Sequence, residues 1–400
     1  MPWTLVVSLI VFVPLASINI YVGRRLFKAL TQITAWNRET LRLAIVSVLV
    51  FVNLLPVVFL AAYLVGGRSI VPAFAGDAAF IDVILTYPFW IALVISVQLL
   101  VLFLLLDITG WFLKRAIPHF AASWNRRLSV IRACIAGFVA LYSVIVIVRD
   151  TWTVRIVEQE VLLPAEFNSL SGFRIAQISD VQGDGRTTPQ VLRGYVAKVN
   201  SLNPDLVLFA GDLVTSGTLY IDSTAAILGN LRAPYGSIAA VGDHDIFSRK
   251  SMVLEALARA GVKVVEDSTL IVGSDASNLA ITVVTYTYSQ KPSNGRIEKL
   301  LNTGNERYRI LLVHQPAEIL VSLAERQGYQ LFLAGHTHGG GISFGIPGLF
   351  LLAPANIESH YVSGLYRVGK LIVSVTNGLG FTLAPVRFHA PAEIVMITLR

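Results

Sequence analysis

The first 150 residues hold four long apolar runs with no strand-like segment between them, and this constrains the fold more than any other feature. The runs are Trp3 to Val22, Leu43 to Val65, Ile84 to Leu106 and Ala133 to Val148. Each approaches the ~20 residues that carry a helix across a hydrocarbon core, the last being the shortest. A buried core helix explains one such run but not four in series. Composition agrees: 54% of the chain is hydrophobic and 14% charged, with a mean hydropathy of +0.65, which is too apolar for a wholly soluble protein. The expected organisation is a four-helix transmembrane region over 1–150, a linker with the first strand over 151–172, and an α/β domain over 173–400.

Charge in the connecting loops predicts orientation. The first loop carries Arg24, Arg25, Lys28, Arg38 and Arg42, and the third carries Lys114, Arg115, Arg126, Arg127 and Arg132. The second has Arg68 against Asp77 and Asp82. The positive-inside rule puts the first and third loops in the cytoplasm, so both termini lie outside and the α/β domain faces the periplasm or cell exterior. Arg149 and Arg155, after the fourth run, weaken the contrast. Trp3 to Val22 has no basic residue before it, so it reads as an uncleaved helix rather than a secretory signal. Asn53 and Gln98, inside the runs, are expected to bond between helices. The net charge of +7 is concentrated in these loops rather than among aromatic residues, which argues against a nucleic-acid partner. One cysteine, Cys134, excludes an internal disulfide and a cysteine metal site.

Beyond residue 150 short apolar runs alternate with helix-like segments. Arg155 to Leu163 reads as a mixed strand. Helices are expected over Thr188 to Ser201, Ile221 to Leu231, Ser251 to Ala260 and Ala317 to Gln327, with short strands at Val262 to Val265, Leu270 to Gly273 and Ile281 to Thr285. From Tyr361 onward the chain reads as strands with glycine turns. Five fragments stand out because each follows a buried-strand pattern: Asp180-Val181-Gln182, Gly211-Asp212, Gly242-Asp243-His244-Asp245, Val313-His314 and Gly335-His336-Thr337-His338. One such fragment is an ordinary loop. Five in order gather Asp, His and amide side chains at the carboxyl ends of strands, where α/β sheets place their sites, and this donor set suits a pair of divalent cations.

The order of these fragments resembles the calcineurin-like metallophosphoesterases over about Phe173 to Arg400. The tail, Tyr361 to Tyr366, Val375 to Gly380 and Pro385 to Arg387, resembles the membrane-associated bacterial branch. The resemblance implies an αββα sandwich, with Asp180, Gln182 and His338 on one metal, Asp212 bridging, and Asp243, His314 and His336 on the other. His244 would donate a hydrogen bond or a proton to the phosphate ester, with Asp245 orienting its imidazole. Arg186, Arg249 and Lys250 follow motif loops and are candidates for substrate phosphate, a solvated role being as good an account of each. His119, His360 and His389 are read as structural. Ile346 to Leu352 reads first as a buried strand and second as a lipid-facing lip.

Two positions depart from the family pattern: Gln182 stands where the family has His, and Asp243 where it has Asn. Asp243 adds a third carboxylate, so the inner cluster of two metals and a hydroxide falls from about +1 to about 0 in formal charge. An amide oxygen is a harder ligand than imidazole and favours manganese or magnesium over zinc, with iron the remaining candidate metal. The implied function is a membrane-anchored hydrolase acting on a phosphodiester, phosphomonoester or pyrophosphate through a hydroxide activated by two metals. A lipid-linked substrate such as UDP-2,3-diacylglucosamine fits the membrane-associated relatives, but that lipid is made on the cytoplasmic face and the charge-derived orientation opposes it. The alternative is a membrane protein whose altered site binds metal or ligand without turnover.

Overall fold

The computed structural model describes residues 3–67, 79–117, 121–274, 277–304, 307–346, 350–381 and 384–400. Arg68, Asp77, His119 and the Pro347 to Leu349 part of the apolar run lie outside the described residues. The chain divides into two compact units, Met1–Val148 and Arg149–Arg400.

In the first unit the helices are longer than the apolar runs that announce them: Trp3–Ile33, Tyr87–Ala116 and Ala121–Trp152, the last continuing into the second unit. Among the described residues, three helices are long and apolar enough to cross a membrane. The remaining apolar run is not one straight helix. Arg38–Val52 and Leu54–Gly66 meet at a 47° bend, so four crossings require that pair to form one broken span. The break has a local cause. Pro56 has no N–H for the Val52 carbonyl one turn back, and at the bend the Asn53 backbone N–H turns to the Val50 carbonyl at 3.2 Å while its side-chain amide donates to the Leu49 carbonyl at 2.7 Å.

Packing around Val22, Leu99, Phe103 and Val139 joins three of these helices. A polar layer crosses the unit, with Ser96 donating to Asn19 at 2.6 Å and the Asn19 amide reaching Asn53 at 3.4 Å. Gln98 donates to Ser143 at 2.8 Å. Asn53 and Gln98 thus bond between helices, as their positions in apolar runs suggest. Asp107, one residue beyond the third run, is an unforeseen hub that pairs with Arg25 and Arg132 and accepts the Tyr21 hydroxyl.

The second unit is built on fourteen described strands: β1 Val154–Val161, β2 Arg174–Ile178, β3 Leu206–Phe209, β4 Ser237–Ala239, β5 Lys263–Val264, β6 Ser268–Ser274, β7 Ser277–Val284, β8 Tyr308–Val313, β9 Leu331–Ala334, β10 Phe344–Ile346, β11 Phe350–Leu352, β12 Gly364–Val368, β13 Leu371–Val375 and β14 Ala392–Leu399. One six-stranded sheet runs β1-β14-β2-β3-β4-β5, a second runs β12-β13-β9-β8-β7-β6, and β10 and β11 form a small hairpin. β3, β4, β8 and β9 are buried at every position and β2 at all but its first, as strands covered on both faces must be.

The sheets pack face to face. Leu206, Leu208 and Ile238 of the first meet Ile281, Ile310 and Leu333 of the second in one cluster, each side chain contributing ~1.5–3 kcal/mol by leaving water. Outside the first sheet lie helices Pro189–Ser201, Ile221–Leu228 and Lys250–Arg259, whose Leu192, Ala225 and Val253 cover it. Outside the second lie Asn294–Leu301 and Glu318–Arg326, through Ile297 and Leu320. The layers are therefore helix, sheet, sheet, helix. Two features escape the sequence pattern: the helix Asn294–Leu301, and the insertion of β14 between β1 and β2, parallel to one and antiparallel to the other.

Candidate metal centre

Five strand ends meet at one edge of this sandwich. Asp180 and Gln182 follow β2, Asp212 follows β3, and Asp243 opens the short helix Asp243–Phe247 after β4. From the second sheet, His314 follows β8, and His336 and His338 follow β9. The Asp180 carboxylate ties the sheets together by accepting the His336 amide at 3.0 Å. The turns are tight. A Cβ on Gly242 would come 2.1 Å from an Asp212 carboxylate oxygen, and one on Gly335 would come 2.5 Å from an Asp180 carboxylate oxygen. Those approaches account for glycine before Asp243 and before His336. Asp180, Gln182, Asp212, His336 and His338 all have positive φ, between 43° and 70°. Such backbone costs ~1–3 kcal/mol each and is typical of sites held by their surroundings.

Three carboxylates, three imidazoles and one amide converge. Asp180, Gln182, Asp212, Asp243, His314 and His338 are buried. His314 Nε2 lies 3.3 Å from Asp212 and 3.4 Å from Asp243, and His336 Nδ1 lies 3.1 Å from the same Asp243 oxygen. His338 Nε2 lies 3.3 Å from Asp180. Two groups of ligand atoms have the spacing of metal sites, Asp243 with His314 and His336, and Asp180 with Asp212 and His314. His314 belongs to both. Its Nδ1 donates to the Ala210 carbonyl at 2.7 Å, which turns Nε2 toward the carboxylates.

The donor set fits divalent cations. Buried acceptors without a hydrogen-bond partner include Asp180 Oδ1 and Gln182 Oε1. Gln182 points into the cluster, its amide nitrogen 3.4 Å from Asp212 and 3.3 Å from His338 Nε2. A half-turn of the amide brings its oxygen to that place, as a cation would require.

Electrostatics tell the same story. Burial raises the Asp180, Asp212 and Asp243 carboxyls, but the neighbouring histidines more than offset it and hold all three below the usual range. Burial lowers His314 and His336, and the carboxylates raise both above the usual value. For His338 burial prevails and the imidazole is held low, suiting a neutral ligand.

Asp245 has a different place from the one expected. It does not orient His244. Its carboxylate accepts three backbone N–H groups, Gly242 and Leu213 at 2.8 Å and Asp212 at 3.0 Å. The reason is helical: Asp245 is the third residue of the helix Asp243–Phe247 and reaches back to the Gly242 amide as a capping acid does. Burial and the Asp212 charge push it up to about 6, against the pull of those N–H groups. His244 is oriented by the Thr215 carbonyl at its Nδ1, while its amide donates to Asp212 at 2.8 Å.

The Arg186 amide donates to Asp184 at 2.7 Å within a turn that Asp184 also ties to Thr215. Lys250 pairs with Glu266 and reaches Gln290 at 3.2 Å. Arg249 is the left-handed residue before a helix. His360 pairs with Glu318 on the surface, and His389 stacks on Phe388, so neither joins the cluster. Of the apolar run, Leu352 is exposed.

Four residues to which the sequence assigns no role at the site complete the surroundings. Gln315 donates to Asp243 at 2.9 Å, and its place beside His314 is the one available signal. The Tyr288 amide donates to the other Asp243 oxygen at 2.6 Å. Glu358 lies 3.1 Å from His336. Arg387 is buried and donates to the carbonyls of Asn377, Gly378 and Gly380, fixing the loop that backs Asp180 and Gln182.

Residues 173–340 match the family model described as calcineurin-like phosphoesterase. A transmembrane protein with metallophosphoesterase domain from Danio rerio is 31% identical over 344 residues, covering 79% of this chain and 75% of that one. The metallophosphoesterase YkuE of Bacillus subtilis (strain 168) is 31% identical over 245 residues, 60% of this chain and 82% of its own. Among solved structures, a dimetal phosphatase from Danio rerio aligns at 13% identity over 57% of this chain and 99% of that one, with a TM-score of 0.33.

Proposed function

The chain belongs to the calcineurin-like metallophosphoesterase family, and from that premise we propose that it is a membrane-anchored hydrolase of phosphate esters. The observation that carries this reading is the convergence of Asp180, Asp212, Asp243, His314, His336 and His338, all but His336 buried, with ligand atoms in two groups that share His314. Asp180, Gln182, Asp212 and His338 would hold one divalent cation, and Asp212, Asp243, His314 and His336 a second. Bound cations would supply Lewis-acid activation of water and of the phosphate. The harder donors, three carboxylates and an amide, favour manganese.

The chain's own groups do the rest. His244, held through Nδ1 by the Thr215 carbonyl, gives the proton on its Nε2 to the leaving oxygen. Asp245 fixes the backbone that presents Asp212 and Asp243. A recess of about 420 Å³ opens beside His336 and Glu358, walled by Tyr286, Tyr288, Lys291 and Ile319, and would receive the group esterified to the phosphate.

The substrate class is a phosphodiester, phosphomonoester or pyrophosphate, lipid-linked in keeping with the apolar helices. In a bacterial plasma membrane with the bent pair crossing once, the basic loops put the domain outside, away from cytoplasmic lipids such as UDP-2,3-diacylglucosamine. Were the bent pair re-entrant, the number of crossings would be odd and the two termini would lie on opposite sides.

The decisive experiment is hydrolysis of bis-p-nitrophenyl phosphate by the purified protein, with and without manganese. Manganese-dependent turnover that Asp212→Asn abolishes is expected. Metal uptake without turnover of this or a monoester substrate would favour a binding protein instead. An alkaline phosphatase fusion at Arg400 should be active in cells, and a silent one would reverse the orientation.

A further inference from the structure

His336 differs from the other two histidines of the cluster in which nitrogen it turns inward. His314 and His338 present Nε2, whereas His336 presents Nδ1, 3.1 Å from Asp243 and 3.2 Å from His314. Nδ1 is a ligand atom only when the proton sits on Nε2, so something must hold that proton. The residues that do so come from outside all five motifs. His336 Nε2 lies 3.1 Å from Glu358 Oε2 and 3.2 Å from the Tyr288 hydroxyl, and that hydroxyl donates to the same Glu358 oxygen at 2.6 Å. The Tyr288 amide donates to Asp243 at 2.6 Å. Asp243, Tyr288, Glu358 and His336 therefore close a ring in which two metal-ligand candidates are held by two non-ligands.

We propose that Glu358 and Tyr288 are positioning residues that fix His336 as the Nε2-protonated tautomer and so make its Nδ1 a metal ligand. The inference rests on the metal-binding reading above. Glu358 accepts two hydrogen bonds at one oxygen, from the imidazole and from the phenol. Its negative charge makes the imidazole a stronger donor toward a cation, and a carboxylate behind a ligating histidine typically governs about 10–100-fold in metal affinity. Tyr288 has two tasks: its hydroxyl steadies Glu358, and its backbone steadies Asp243. The Glu358 side chain is 48% exposed, so its replacement spares the core.

The test uses the full-length protein in detergent, stripped with chelator and retitrated with manganese by calorimetry. Glu358→Ala should weaken one of the two binding events by about 10–100-fold, with the metal-free protein still folding cooperatively. Glu358→Gln keeps an acceptor oxygen and should recover part of the loss, and Tyr288→Phe should fall between. Selective ¹⁵N-histidine spectra of the metal-free protein at alkaline pH, where no cation fixes the tautomer, supply a readout that a purely structural role would not move. His336 should carry its proton on Nε2 in the parent and lose that fixed tautomer in Glu358→Ala. Unchanged manganese affinity, or an unchanged tautomer in Glu358→Ala, overturns the proposal. A parent that binds manganese but hydrolyses nothing sinks the phosphoesterase reading and leaves this one standing. A parent that binds no manganese sinks both.

Discussion

Asp245 Oδ2 lies 3.0 Å from the amide nitrogen of Asp212 and serves the backbone of a neighbouring strand rather than the imidazole beside it. With Leu213 and Gly242 it satisfies three buried N–H groups at once. Asp245→Ala would strand all three, a loss of about 3 kcal/mol or more. Chemical denaturation should register that loss, and metal content should fall with it because Asp212 and Asp243 lose their supports. A variant of parental stability would show that the carboxylate is replaceable by water.

His244→Ala should separate chemistry from binding. The imidazole bonds to the Thr215 carbonyl, not to the ligand cluster, so metal content should survive. Turnover should drop by about 10²–10⁴-fold, as for a lost general acid. Loss of metal as severe as in His338→Ala would mean that His244 is itself a ligand.

Metal affinity should rise with pH. His314 and His336 are raised above 6.5 by their carboxylate neighbours and hold protons that a cation must displace. For a histidine raised in the folded state, the stabilising pair is fully present below about 6.5 and lost as pH rises through the raised value. The metal-free protein should therefore lose this contribution on the alkaline side while the loaded protein does not. The gap in melting temperature between the two forms should widen as pH rises above about 6.5. A gap independent of pH would mean that these histidines are neutral before metal arrives.

The two departures from the family pattern have separable predicted effects. Asp243→Asn removes a charge while keeping an acceptor for the Tyr288 amide, so manganese should bind more weakly and product phosphate should inhibit more strongly. Gln182→His replaces an oxygen donor with imidazole and should move preference from manganese toward zinc. Competition titrations of both variants against both metals measure these shifts. Unchanged preference in Gln182→His would place residue 182 outside the coordination sphere.

The candidate ligand set was legible because each member follows a strand, and strands announce themselves by short buried runs. The alternation of strands and helices was legible for the same reason, since β2, β3, β4, β8 and β9 read as apolar runs, whereas the sandwich followed only from the family resemblance. What sits behind the ligands was harder. Asp245 beside His244 invites a pairing by adjacency, although an acid three residues into a helix after Gly242 is a capping signal. Tyr288 and Glu358 lie 70 residues apart, and no local pattern joins them. In the first unit Asn53 illustrates the same limit: with Pro56 it breaks a run that hydropathy alone draws as one helix. Asp107 escapes notice because it begins where the apolar run ends, whereas the helix continues to Ala116.

The position of β14 sets a schedule for biogenesis. It fills the gap between β1 and β2, hydrogen-bonded on both flanks, so the first sheet cannot close until residue 399 has been made and has reached the compartment where the domain folds. Until then β2 keeps an open edge, the kind of surface that pairs with other chains. A nascent domain delivered across a membrane would need that edge shielded for the whole of its transit, and a chain cut before residue 392 would leave β1 tethered to its helix with no sheet to join.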